Sequence, residues 1–199
     1  MKNVDEQFAR ARRLSQPITN FRLPGWQAPG ARLAGLVFHE AMLGGCDLRG
    51  ADLSQSRWVS CDLRGADFRS SLLDGVAFMG CQVEGAHFDQ VTAECPSWGK
   101  CTLAASTWQG VSLNLASWAA SQLHRADFQG ASLTRSVLLG SEAPEIDLRR
   151  ARLNGCALNG LDLSRARLDG MAADTVLFMN CLLRDQNLSG LSLRRCNFD

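Results

Sequence analysis

Eight cysteines, three histidines and a recurring aspartate are the residues whose types could do chemistry in this chain. Cys and His can hold zinc, a Cys beside a His can act as a nucleophile, and paired carboxylates can share acid–base work. Their spacing argues against all three. Seven cysteines (Cys46, Cys61, Cys81, Cys101, Cys156, Cys181 and Cys196) share one phase of a five-residue pattern, where Ala, Ser and Val also occur. Each therefore reads as a compact hydrophobe. Cys61, Cys81 and Cys101 are twenty residues apart. A straight ladder cannot surround a metal tetrahedrally, and parallel side chains are poorly set for disulfides. Cys95 alone falls at a corner, the thiol expected to meet a reagent first, with no His–Asp arrangement near it. His39, His87 and His124 take outward positions without metal-ligand spacing. Asp47, Asp52, Asp62, Asp67, Asp127, Asp147 and Asp162 all precede a large apolar residue, where bonding to corner backbone is expected rather than catalysis. There is no phosphate loop, GxSxG or HExxH. The expectation is a protein that is not an enzyme and holds neither metal nor cofactor.

The pattern that positions these residues is an internal repeat. CDLRGAD occurs at Cys46–Asp52 and again at Cys61–Asp67. Around it a large apolar residue, the centre of each repeat, returns every fifth position: Leu33, Phe38, Leu43, Leu48, Leu53, Trp58 and onward. Of 34 centres from Leu33 to Phe198, only Ala93, Ala143 and Ala173 lack a large side chain. Two positions before the centre the residue is small; two positions after it, Gly is common. A period of five suits neither a helix face nor a plain strand. It suits a chain that turns a corner every five residues, with glycine easing the turn. Eleven Phe and Trp follow residue 30, and all eleven occupy alternate centres. An even-sided coil keeps such columns apart, and four sides make twenty residues per coil.

This pattern resembles the pentapeptide-repeat family, on CDLRG-ADLSQ at 46–55, CDLRG-ADFRS at 61–70 and RADFQ-GASLT at 125–134. The resemblance implies an all-β, right-handed quadrilateral β-helix over residues 31–199, a solenoid of about eight coils and near 40 Å long. Residues 1–30 are expected to form a separate cap, because Phe21 and Trp26 fall at the small inward position. Val4, Phe8 and Ala11 share a helical face with Leu14 at its margin, so a short helix is expected over the first coil. Pro17, Pro24 and Pro29 should make the connection irregular. The coils around Ala93 and Ala143, near Pro96 and Pro144, should be irregular or underpacked, which singles out Thr92–Lys100 and Glu142–Asp147.

A length of 199 residues with 46% apolar content fits one domain or two small ones with a substantial core. The opening MKNVDEQFARARRL is charged throughout, and no long apolar run follows, so a cytoplasmic protein off the membrane is expected. A formal charge of +1 argues against a polybasic nucleic-acid binder, so no direct nucleic-acid binding is expected. What remains is a non-catalytic interaction protein that binds a protein partner by shape and charge. The resemblance implies a second reading, since some bacterial members bind DNA gyrase or related topoisomerases as acidic mimics of DNA, protecting against quinolones or toxins. The sequence departs from that pattern: residues 31–199 hold 16 basic and 18 acidic side chains, and residues 149–199 are net +3. A third reading, an accessory or adaptor of a bacterial secretion locus, rests on family habit alone. The last centres (Leu183, Leu188, Leu193 and Phe198) have no sequence after them to cover an open coil. They are expected to form a homodimer or a docking end.

Overall fold

Turning a corner every five residues requires a backbone conformation that most side chains resist. The computed structural model describes residues 2–199. From Ser15 to Arg195 every fifth residue except Arg165 has positive φ, +64° at Gly50 and +57° at Thr175. That is the left-handed region in which glycine is unstrained and a β-branched residue is not. Between corners, the centre and the residue two before it point inward, and the side chains flanking the centre point out.

The result is a four-walled parallel β-helix. One sheet has ten short strands running from Ile18–Thr19 to Asn197–Phe198, and a second has six, from Thr92–Glu94 to Ser192–Arg194. Single bridges complete the remaining walls, such as Met42↔Asp62 and Asp47↔Asp67. All pairing is parallel, with partners twenty residues apart. We number the walls by their centres: the first carries Leu43 and Leu63, the second Leu48 and Phe68, the third Leu33 and Leu53, the fourth Phe38 and Trp58. The core is one continuous column. On the fourth wall Phe38, Trp58, Phe78, Trp98 and Trp118 stack, and Phe68, Phe88, Trp108 and Phe128 stack on the second. The two stacks meet edge to face, with 4.8 Å between the Trp98 and Trp108 centroids, a geometry favoured by ring quadrupoles.

Helix α1, Lys2–Leu14, closes one end. Asp5 in its first turn and Arg12 and Arg13 in its last complement the helix dipole. It ends where Ser15 takes positive φ and the Gln16 N–H bonds the Ala11 carbonyl. Phe8 and Ala11 are buried and Leu14 lies exposed at the margin, as their spacing implies.

The coil begins before Ala31, which corrects the expected boundary. Ile18 already pairs with Phe38, Arg22 with Met42 and Gln27 with Asp47, so the ten-stranded sheet spans about nine coils. Phe21 and Trp26 fit the inward position because no coil lies beyond them. Their rings sit 5.6 and 5.8 Å from Phe8, which fills the end of the rod. The expected irregularities take a definite form. Among the described residues, no bridge joins Leu72 to Thr92 or Glu142 to Asp162, although Asp52↔Leu72 and Gln122↔Glu142 are intact. Ala173 sits in a strand paired on both sides, so a small centre does not by itself open the ladder. Where the aromatic stacks give way to leucine, Phe128, Leu138, Leu148 and Leu158 line an apolar void of about 10 Å³.

Candidate functional site

Leu183, Leu188, Leu193 and Phe198 lie one on each wall of the final coil. Around them is an apolar hollow that also touches Leu163, Leu168 and Phe178. Phe198 stacks on Phe178 at 4.7 Å and is itself 46% exposed. The contrast with the other end is direct. Helix α1 covers the first coil, whereas the last presents leucine rims and the final strands of both sheets. One residue at this end was missed in the sequence. Gln186 takes the small inward position, and its Nε2 donates to the Leu163, Ser164 and Ala166 carbonyls at 2.8, 2.9 and 3.0 Å. Among the described residues no bridge joins Arg167 to Asn187, so this side chain stands in for the missing ladder there. A glutamine in a column that from Cys46 to Ala166 holds only Ala, Cys, Ser and one Ile was the signal.

The chemistry-bearing residues are dispersed. All eight cysteines are free thiols; Cys95 is exposed, Cys181 and Cys196 are half-buried, and the other five are buried. Burial pushes the Cys46 thiol up to about 12. Hydrogen bonding with Cys101 and burial do the same for Cys81, also to about 12. These thiols stay neutral and poorly nucleophilic at physiological pH. Instead they bond to backbone, as in Cys81 Sγ to the Trp58 carbonyl at 3.2 Å. The histidines lie apart on three walls, and no group of His, Cys, Asp or Glu among the described residues is arranged to hold a metal.

The repeating aspartates act at corners. Asp47 Oδ1 accepts the Arg49 backbone N–H at 3.1 Å while the Arg49 guanidinium grips the carboxylate at 2.7–2.9 Å. Asp62–Arg64, Asp67–Arg69 and Asp147–Arg149 repeat this arrangement. Arg49 thereby holds the Asp47 carboxyl below its ordinary range. At Asp147 partial burial pushes the other way and Arg149 prevails. Beside this row, at the corner between the first and second walls, Glu145 bridges Arg125 at 2.8 Å and Arg165 at 2.5 Å. Together with Asp127, Asp147, Arg149 and Arg167 they line a broad polar groove. Four arginines against three carboxylates leave it net positive.

A family model for pentapeptide repeats matches in eight copies, over residues 28–55 and 146–170. The backbone is similar to that of trypsin-treated QnrB1, a plasmid-mediated fluoroquinolone resistance protein, with TM-score 0.80 and 20% identity over 90% of this chain and 92% of that one. Full-length QnrB1 matches with TM-score 0.56 and 18% identity, over 92% and 93%. No curated protein matches the sequence. At these identities the likeness is one of fold.

Proposed function

We infer from the repeats matched over residues 28–55 and 146–170 that the chain is a pentapeptide-repeat protein, and from that premise we propose that it is a non-catalytic scaffold, acting in the cytoplasm, that docks a protein partner by shape and charge. The observation that carries this reading is the contrast between dispersed chemistry and a long, regular surface. The thiols are buried or solitary, the histidines are apart, and Asp47, Asp62 and Asp147 are each held by the arginine two residues on. The open C-terminal coil supports an end contact, either with a second copy, forming a homodimer twice one rod in length, or with another protein. Affinity capture from native lysate tests the scaffold reading when run beside outward-facing charge variants. The expected result is a partner lost on changing Arg165 and Arg167 while the fold is retained. Turnover of a small substrate by the purified chain would contradict it. For the end contact, Phe198→Asp should remove any species twice the length of the rod and leave the coils folded. If such a species persists, the contact lies elsewhere.

The QnrB1 likeness favours a second reading, a topoisomerase-binding resistance protein, to the extent that a shared rod can. Residues 70–148, with 8 acidic and 3 basic side chains, would supply the mimicry. Phosphate-like rows must run along the rod, whereas this acidic stretch is flanked by Asp47, Asp62 and Asp67, each bound by an arginine, and by residues 149–199 at net +3. Weak or absent inhibition of gyrase supercoiling, with and without a quinolone, is therefore expected. Submicromolar inhibition that falls steeply with salt would put the second reading first.

A further inference from the structure

The fourth wall is distinguished by what its outer face lacks. Among its outward positions from Val37 to Asp199, only Arg57 and Asp199 carry formal charge. Val59, Met79, Val137, Leu139, Leu177 and Met179 project from it instead, with Met79 49%, Leu139 51% and Leu177 43% exposed. These residues are far apart in sequence, and the twenty-residue coil aligns them into rows. The same wall is the longest sheet and is unbroken from Ile18 to Phe198. It is also smooth. The Met79 side chain lies over Gly99, where an added Cβ would come within 3.0 Å of its methyl carbon. Scattered exposed apolar residues need no explanation; a nearly uncharged face along a whole rod, carrying exposed Met79, Leu139 and Leu177, does.

We propose that this wall is a side-by-side contact between two copies of the chain, with the rods antiparallel about a twofold axis that lies in the contact plane and runs perpendicular to the rods. Three features favour a second copy as the occupant. First, a twofold contact sets a surface against itself, and this wall can meet itself almost without like charges opposed, whereas the second wall cannot. Second, side-chain ridges recur at the strand spacing of about 4.8 Å on both copies, so the ridges of one fall into the grooves of the other along the whole length. Third, nine strand spacings give a face about 40 Å by 15 Å, on the order of 600 Å², which reaches the lower end of what a stable dimer buries per partner.

The side-by-side contact is independent of any contact at the open end, and the test separates them. In Phe198→Asp protein at tens of micromolar, sedimentation should show a dimer, and small-angle scattering a longest dimension of one rod rather than two. Adding Leu139→Lys and Leu177→Lys should weaken that dimer at least tenfold with circular dichroism unchanged. Leu139→Gln with Leu177→Gln serves if the lysines disturb folding. Leu72→Lys, at a third-wall leucine 53% exposed, should leave the dimer intact. A monomer in the Phe198→Asp protein, a dimer indifferent to the fourth-wall changes, or loss of the dimer with Leu72→Lys would each overturn the proposal. So would capture of a different protein on this wall by chain that is itself monomeric.

Discussion

The second and fourth walls face opposite ways across the same core, and they differ most on the outside. Inside, both are stacked aromatic columns, with centroid spacings of 4.1 Å for Phe88–Trp108 and 5.2 Å for Trp98–Trp118. Outside, the second wall carries Asp47, Asp67 and Asp147 clasped by arginines, and the fourth carries mostly small and apolar side chains with formal charge only at Arg57 and Asp199. The repeat thus separates two tasks. Centres and small inward residues specify the coil, and the outward positions are free to give each wall its own surface. A period of five supplies the fold, and a period of twenty supplies the faces.

The largest effect should come from testing whether the two interiors are equivalent. Phe88→Ala on the second wall and Phe78→Ala on the fourth should each cost about 3–5 kcal/mol in denaturant unfolding. The outward change Gln109→Ala should stay within about 0.5 kcal/mol. Equally small effects at Phe88 and Gln109 would mean the phase is misassigned.

A smaller difference lies in how buried indoles are satisfied. Trp108 Nε1 donates to Ser106 Oγ at 2.7 Å, and that hydroxyl donates to the Leu103 carbonyl. On the fourth wall Trp58 Nε1 donates likewise to Ser56 Oγ at 2.9 Å, but Trp118 Nε1 is buried without a partner, because Ala116 stands where a serine would be. Ser106→Ala should cost about 1–3 kcal/mol by orphaning the indole, and Ala116→Ser should gain about 1 kcal/mol. A loss of stability in the Ala116→Ser protein would show that the fourth-wall stack cannot admit the hydroxyl.

Smallest should be the response to acid, and it should belong to the charged wall. The carboxyls of Asp47, Asp67 and Asp147 are lowered in the fold. Their contribution is fully present above the ordinary carboxylate pKa and is lost as pH falls through the lowered values. Weakening therefore sets in below about pH 4. The pairs are solvent-screened, so a modest drop in the denaturation midpoint is expected, reduced further in Asp147→Asn. A midpoint flat to pH 3 would remove these pairs from the account.

Most of the fold was legible because the constraint repeats. A centre that must point inward at every fifth residue leaves a signature that no single substitution erases, and the alternation of aromatics fixed the number of sides. The start of the coil was not legible. The rule that excluded Phe21 and Trp26 holds only between two coils, and their place is the end of the rod, beside Phe8. The corner role of the aspartates was readable, but the DLR pairs were not, since a guanidinium reaching back two residues leaves no periodic trace. The apolar wall was hidden for a different reason. Val59, Met79, Leu139 and Leu177 look like stray surface residues until outward positions are read at every twentieth residue.

Methionine oxidation tests the contrast between walls most directly, on the unmodified chain. Met79 projects from the fourth wall and is 49% exposed; Met42, on the first wall, is 38% exposed and serves as an internal reference. As protein concentration rises from nanomolar to tens of micromolar, oxidation of Met79 should slow relative to Met42. A ratio of the two rates that stays constant across that range would contradict the account.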